Sequence, residues 1–152
     1  MSIRSVVAGG LVVSICLASV PSTQAAEPLA DKVRTSIDRG IGYLKKKQEN
    51  RGGEWNWENT DLSLAWPGGS TCLATLAMLT CGVKSNEAVI QQVLPYIRGL
   101  KPGQTYVVAL QSMVLAEIGE ARDKDIIQRN VDWLLAGRFY ANGKLKGWSY
   151  GK

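Results

Sequence analysis

The sequence predicts an all-α fold, a tandem array of helical hairpins in which amphipathic outer helices alternate with apolar inner helices. Three segments that begin at Ile37, Ile90 and Ile127 align without gaps, and each has apolar residues at its first, fifth and eighth places. This spacing forms one stripe of an amphipathic helix. Residues 69–82 and 106–119 lie between these segments and are apolar nearly all round, which is typical of enclosed helices. The last two outer segments are 37 residues apart (127 − 90), as are the inner ones (119 − 82), so a stacked array is indicated.

Each predicted helix has its own sequence signals. Ser85 and Asp123 are candidate N-caps of the second and third outer helices. Gly82 and Gly119 are candidate left-handed stops for the inner helices, and Pro95 is expected to kink its helix. The array is expected to occupy residues 29–152 as a two-layered ring or solenoid. Its elements in order are an outer helix at 29–48, a long loop, an inner helix at 70–82, an outer helix at 86–99, an inner helix at 104–119 and an outer helix at 124–137.

Residues 1–25 have the order of a secretory signal. Arg4 precedes an apolar stretch at residues 6–20, and small residues stand at Thr23 and Ala25 before the expected cleavage site. The alternative, a membrane anchor, needs about 20 apolar residues, and this stretch is shorter. The chain is therefore predicted to be exported to the periplasm or the extracellular space.

The charge pattern bears on which partners the chain binds, and the cysteine spacing bears on whether a disulfide can form. Lys45, Lys46 and Lys47 form the single basic run, on a helix whose other side is apolar, and a solvated face is favoured over a nucleic-acid patch. No nucleic-acid partner is predicted, whereas a membrane surface stays open. Cys72 and Cys81 are nine residues apart on one predicted helix, about 13 Å along its axis and on opposite faces. They are expected to be buried and not joined by a disulfide.

The residues after the third outer helix correspond to the long loop after the first one. A third inner helix would be due there, so the array is expected to be incomplete at its C-terminal end. The alternative is that the uncovered third outer helix is a surface for self-association or for another subunit.

Residues 39–55 carry a specific resemblance. Arg39, Gly40, Tyr43 and Leu44 are followed by Gln48, Gly53 and Trp55, and this order resembles the QW motif of squalene cyclases, with a degenerate copy ending at Gly147 and Trp148. The resemblance covers residues 29–150 and implies the α/α toroid of squalene cyclases and protein prenyltransferases. In physical terms, a glutamine amide can tie the end of an outer helix to the loop backbone, and a tryptophan beside it buries a large surface. These residues are therefore assigned a structural role.

The chemistries of this superfamily are only partly supported. The cyclases use an acidic DxDD motif, and the nearest acidic pair here, Asp123 and Asp125, stands at a helix start where the helix dipole favours carboxylates. The chain has no histidine, so neither the zinc ligands of the prenyltransferases nor a Ser-His-Asp triad can be assembled. No catalytic residue, metal site or cofactor is predicted, and whether the chain is an enzyme stays open.

The remaining candidates form an aromatic and acidic rim where loops join outer to inner helices. Packing over the ends of the inner helices is favoured for these aromatic rings, over stacking on a polyprenyl, hopanoid or sugar ligand. The acidic members are candidate general acids that the sequence does not rank. The rim residues are Trp57, Trp66, Tyr150, Glu58 and Asp61.

Three functions follow as hypotheses. The first is an exported, non-catalytic scaffold that binds a hydrophobic ligand or partner. The second is the N-terminal part of a terpenoid cyclase or prenyltransferase-like enzyme whose catalytic residues lie beyond Lys152. The third is an (α/α) barrel that binds or cleaves polysaccharide.

Overall fold

The computed structural model describes residues 28–58 and 66–148. The predicted signal peptide lies outside these residues. The chain is predominantly helical, and the five predicted helices are confirmed, with ends that differ from the predicted ones by two residues at most. The helices are α1 (Leu29–Lys47), α2 (Gly69–Thr80), α3 (Ala88–Gly99), α4 (Thr105–Ile118) and α5 (Lys124–Ala136), the last preceded by a 3-10 turn (Ala121–Asp123).

Two small β-hairpins correct the prediction of a purely helical fold. They stand where loops were expected, and both turns have two central residues with positive φ: Gly52 and Gly53 (63° and 96°), then Asn142 and Gly143 (53° and 70°). Such a pair suits the primed turns that match the twist of two antiparallel strands. The hairpins are β1 (Glu49–Arg51) with β2 (Glu54–Asn56), and β3 (Arg138–Ala141) with β4 (Lys144–Trp148).

The core lies between the two inner helices and α3. Helices α2 and α4 pack against each other, and α3 packs on α2 and on strand β2. Met78, Ile90, Val93 and Val114 are fully buried in this cluster. Helix α1 has no buried residue and adds only partly buried side chains to the edge of the core. The apolar inner helices are thus the centre of the packing, as predicted from their composition.

The helix ends confirm some predicted signals and correct others. Gly82 and Gly119 have φ of 93° and 73°, so both are left-handed stops. Ser85 is not an N-cap, because α3 begins at Ala88 with Glu87 in the cap position. Asp123 does occupy the cap position of α5, but its side chain makes no capping bond. Helix α3 continues through Pro95 to Gly99.

Asp123 is instead committed to an ion pair. Its carboxylate is fully buried and accepts hydrogen bonds from Arg98 Nε at 2.7 Å and from Arg98 Nη2 at 2.9 Å. Arg98 Nη2 also lies 3.1 Å from Glu120 Oε2. These contacts raise the pKa of the Arg98 guanidinium, chiefly through its hydrogen bond to Asp123. The pair joins the last turn of α3 to the start of α5, and so fixes one outer helix relative to the next.

The two described cysteines have different surroundings. Both are free thiols, as predicted, but only Cys72 is buried. The expected burial of Cys81 is wrong, because this residue stands just after the last helical residue of α2, where the chain turns to solvent. Lys45, Lys46 and Lys47 are all exposed, which agrees with a solvated basic face.

Thiol reactivity should separate these two cysteines. Burial raises the pKa of the Cys72 thiol to about 12, with a smaller contribution from the Glu58 carboxylate. Because the thiolate is the reactive species, a maleimide at pH 8 is expected to modify exposed Cys81 rapidly and Cys72 only on unfolding. Peptide mass mapping after timed labelling measures this. Equal labelling rates at the two positions in the folded chain would contradict the burial of Cys72.

Candidate functional site

Trp57 belongs to the core and not to a ligand rim. Its side chain is 6% exposed, and its Nε1 donates a hydrogen bond to the carbonyl oxygen of Leu44 at 2.9 Å. Its backbone N–H donates to Thr71 Oγ1 at 3.1 Å, which ties the residue after β2 to the start of α2. An indole buried in this way cannot serve as a platform for a sugar or a polyprenyl chain. The prediction of Trp57 as a rim residue is therefore wrong, because packing of α1, β2 and α2 encloses it.

Glu58 has a structural partner as well. Its Oε1 accepts hydrogen bonds from the backbone N–H of Thr71 at 3.0 Å and from Thr71 Oγ1 at 2.6 Å. Thr71 lies in the first turn of α2, where backbone N–H groups lack partners within the helix, and Gly68 at the cap position has no side chain to supply one. Glu58 therefore takes the place of an N-cap side chain, and the helix dipole favours its negative charge there.

Replacing Glu58 should affect stability in a way that reveals this role. Glu58→Ala is expected to lower the free energy of unfolding by about 1–2 kcal/mol, because the N–H of Thr71 loses its acceptor. Glu58→Gln keeps an acceptor oxygen and should recover most of the loss. Urea unfolding followed by circular dichroism measures both. If Glu58→Gln were as damaging as Glu58→Ala, the carboxylate charge rather than the capping bond would be what matters.

Trp66 and Trp148 do remain accessible, at separate places. The Trp66 ring lies 6.3 Å from the Tyr106 ring, between the start of α2 and the start of α4. Trp148 ends β4 and is 46% exposed. Tyr150 and Asp61 lie outside the described residues. The described members of the predicted rim are thus divided between the core, where Trp57 and Glu58 lie, and an exposed aromatic pair that includes Trp66.

The residues that resemble the first QW motif make different contacts from those expected. Gln48 Nε2 donates to the carbonyl oxygen of Val89 at 2.9 Å, so it ties α1 to the first turn of α3 and not to the loop that follows α1. Trp55 is half-buried on β2, and the fully enclosed tryptophan is Trp57 two residues later. Gly53 has φ of 96° in the turn, and its N–H donates to Asn50 Oδ1 at 3.0 Å. The clamp therefore joins two neighbouring outer helices.

The other residues of the motif lie on α1, where Leu44 packs partly buried against the core, or in the second hairpin. Arg39 and Tyr43 are exposed, and Leu44 supplies the carbonyl that Trp57 binds. Arg138, the first residue of β3, stands where a glutamine would be expected in the second copy, and its Nε donates to the carbonyl oxygen of Leu135 in the preceding helix α5 at 2.9 Å. This second copy therefore makes no clamp between helices within the described part of the chain.

A groove between α4 and α5 forms an apolar concave surface with Trp148 in its wall. Its volume is about 400 Å³, which falls within the range of small-ligand sites. Val131 and Leu135 are exposed large hydrophobic residues there, on the stripe of the third outer helix that was predicted to be uncovered. We call this surface the α4–α5 groove, and it is lined by Thr105, Ala109, Val131, Leu134, Leu135 and Trp148.

A second apolar groove lies at the other side of the inner-helix pair. It has a volume of about 320 Å³ and is formed by one face of α1 and the open side of α2. The groove is open at Gly40, since no heavy atom lies within 4 Å of the position that a Cβ would take there. We call this surface the α1–α2 groove, and it is lined by Ile37, Gly40, Ile41, Tyr43, Leu44, Ala77 and Cys81.

A buried polar pair beneath the α4–α5 groove was not predicted. Asn130 Nδ2 donates to Gln111 Oε1 at 2.7 Å, and Gln111 Nε2 donates to the carbonyl oxygen of Ile97 at 2.7 Å. Both side chains are almost completely buried. A signal was present, because Asn130 stands at the repeat position of buried Val93, and Gln111 interrupts an otherwise apolar helix. The pair links α3, α4 and α5, and all its described partners are structural.

The described residues offer no metal ligand set, since no group of three or more His, Cys, Asp or Glu side chains comes together in 28–58 or 66–148. Within the same ranges no helix is long and apolar enough to cross a membrane. Comparisons with protein-family models, with curated proteins and with solved structures gave no match. The described residues therefore form a predominantly helical protein with two small β-hairpins and apolar grooves beside its inner helices.

Proposed function

We propose that the chain is an exported, non-catalytic scaffold of the helical-repeat type, resembling the α/α toroids of squalene cyclases and prenyltransferases, that binds an apolar ligand or partner. The observation that carries this proposal is the pair of apolar grooves on either side of the inner-helix pair. Small-ligand sites are concave and mostly apolar, and both grooves have this character. Their linings are aliphatic and aromatic side chains, with Trp148 as the largest ring.

The contacts of Glu58, an acidic residue of the predicted rim, also support a binding role over catalysis. A general acid must present its proton to a substrate, whereas Glu58 Oε1 accepts two hydrogen bonds from Thr71 and Glu58 Oε2 is buried. Tyr96 is half-buried, and burial raises the pKa of its hydroxyl to about 12, which makes it a poor proton donor or base near neutral pH. These two side chains are thus poorly placed for proton transfer, and the two grooves are lined mainly by apolar side chains.

Two measurements on the purified chain test the two parts of this proposal. Nile red is expected to gain fluorescence on adding the chain, with saturation, because the grooves exclude water from an apolar dye. Incubation with squalene is expected to leave it unchanged by gas chromatography. Cyclised product would overturn the non-catalytic part, and an unchanged dye spectrum would overturn the binding part.

A further inference from the structure

The internal repeat shows what kind of element fits the α4–α5 groove. One repeat earlier, the residues equivalent to the lining residues Ala109, Val131 and Leu134 are Cys72, Leu94 and Ile97, each 37 residues before its counterpart. All three earlier residues are fully buried. Cys72 lies on α2, which packs against α4, and Gln111 of α4 donates to the carbonyl oxygen of Ile97. This part of the α4–α5 groove is therefore the repeat counterpart of a buried surface beside α4.

The side that α4 presents to α2 defines the shape of an element that fits the groove. Leu110 and Val114 lie one turn apart on α4, and both are buried in the cluster that also holds Cys72 and Leu79. Their counterparts one repeat earlier, Leu73 and Ala77 of α2, are not fully buried among the described residues. An element that fits the groove thus carries two apolar side chains four residues apart on one helical face.

A polar contact is also available in the groove. The carbonyl oxygen of Leu134 is the repeat counterpart of the Ile97 carbonyl that accepts from Gln111. It accepts one hydrogen bond at the end of α5, from the N–H of Gly137 at 3.2 Å, just as the Ile97 carbonyl accepts from the N–H of Leu100 at 3.3 Å, and a carbonyl oxygen can accept a second bond. An amide directly after the first apolar residue of the docking helix would reproduce this bond.

A second copy of the whole chain does not fit the same surface. In such a copy α2 is preceded by α1, which is an outer helix equivalent to α3 and α5 by the alignment of Ile37, Ile90 and Ile127. If its α2 took the place of the missing helix, its α1 would need the position that α5 already fills. The occupant is therefore an apolar helix without an outer helix directly before it.

From these observations we infer that the α4–α5 groove is a docking site for an apolar α-helix of about three to four turns from a polypeptide partner. The inference rests on the proposed binding function and names the class of partner. The helix lies beside α4 as α4 lies beside α2, with its two spaced apolar residues against Ala109, Val131 and Leu134. Trp148 forms the far wall of the site.

A synthetic helix provides the test. The probe is a fluorescent peptide of residues 105–119, the α4 segment, with two lysines added at each end for solubility. Fluorescence anisotropy is expected to show saturable binding to the full chain. The same peptide with Leu110→Lys and Val114→Lys is expected not to bind, because it lacks the apolar face that the groove accepts.

Matched variants of the protein locate the site. Leu135 is 47% exposed in the groove, and Leu145 is 46% exposed outside it. Replacing either leucine therefore removes a similar area of exposed apolar surface. Leu135→Lys is expected to weaken binding at least about tenfold, and Leu145→Lys to leave it unchanged. A lysine in the last turn of α5 suits the helix dipole, so the fold should persist. Ala109→Trp, which fills the groove without adding charge, should weaken binding to the same extent.

Several results would overturn the inference. Equal losses for Leu135→Lys and Leu145→Lys would place the peptide elsewhere. A dimer in light scattering that dissociates with Leu135→Lys would make a second copy the occupant. Nile red binding that is lost with Ala109→Trp, with no peptide binding, would leave the proposed function standing and assign the groove to a small apolar ligand. Absence of both dye and peptide binding would remove the proposed function as well.

Discussion

Replacing Trp57 by alanine is expected to lower the free energy of unfolding by about 4 kcal/mol, the largest effect of any single change proposed for this protein. The reason is twofold. The indole is almost completely buried where α1, β2 and α2 meet, so its removal leaves a cavity. Its Nε1 also donates a hydrogen bond to the partly buried carbonyl oxygen of Leu44, and this oxygen would lose that donor. Urea unfolding followed by circular dichroism measures the change.

Two further variants make this prediction specific. Trp57→Phe keeps much of the buried ring and loses the Nε1 bond, so a smaller loss of about 1–2 kcal/mol is expected. Trp148→Ala removes a tryptophan of similar size from an exposed strand end and should change stability by no more than about 0.5 kcal/mol. A comparable loss for Trp57→Ala and Trp148→Ala would contradict the assignment of Trp57 to the core.

Asp123→Ala is expected to have the second largest effect, a loss of about 3 kcal/mol in the free energy of unfolding. The carboxylate is fully buried and receives two hydrogen bonds from Arg98. Without it the guanidinium remains largely out of water, with Glu120 as its remaining carboxylate partner among the described contacts. Removing one member of a buried pair leaves an uncompensated charge, which costs more than the pair contributes as a whole.

Asp125 provides the matched control for this change. It is the exposed acidic residue in the first turn of α5, two positions away from Asp123. Asp125→Ala loses only a favourable interaction with the helix dipole and should cost less than about 1 kcal/mol. Added salt should leave the difference between the two variants nearly unchanged, since a buried pair is poorly screened. Equal losses for the two variants would show that Asp123 acts as an ordinary first-turn acid.

The two grooves and the docking inference concern the same part of the molecule, which is the pair of inner helices α2 and α4. Packing of α2 on α4 buries Leu110 and Val114 of α4, while Leu73 of α2, which stands 37 positions before Leu110, is 49% exposed. Among the described residues, both grooves beside this helix pair expose apolar side chains. Because burial of apolar area stabilises the packing of helices, we expect the α4–α5 groove to bind a further helix.

The positions of the helices could be predicted from the sequence, because they depend on local spacing. The stripe that begins at Ile37, Ile90 and Ile127 and the glycine stops at Gly82 and Gly119 are properties of single turns of chain. The second hairpin could also have been predicted, because Asn142-Gly143 is a strong signal for a tight turn between strands. The residues on either side of this turn do not alternate clearly between apolar and polar, so the strands themselves have no clear signal in the sequence.

The contacts of the candidate site residues could not be predicted in the same way. Trp55 and Trp57 have the same residue type and nearly the same position, yet only Trp57 reaches the carbonyl of Leu44. Adjacent side chains of a strand point to opposite faces, but residue 57 follows the strand, and its direction depends on how α2 packs. Likewise, Gln48 binds Val89 because α1 lies beside α3, which is a relation over 41 residues.

The sequence by itself determined the positions of the five helices, the apolar composition of α2 and α4 and the apolar stripe of α5. These depend on hydrophobic periodicity and on glycine conformation, which act within a few residues. Only the tertiary structure decided that Trp57 and Glu58 support the core and that Asp123 pairs with Arg98. It also showed that the apolar stripe of α5 lines a groove with α4. These depend on which helices come to lie side by side, because burial and hydrogen bonding over tens of residues are set by packing and not by local pattern.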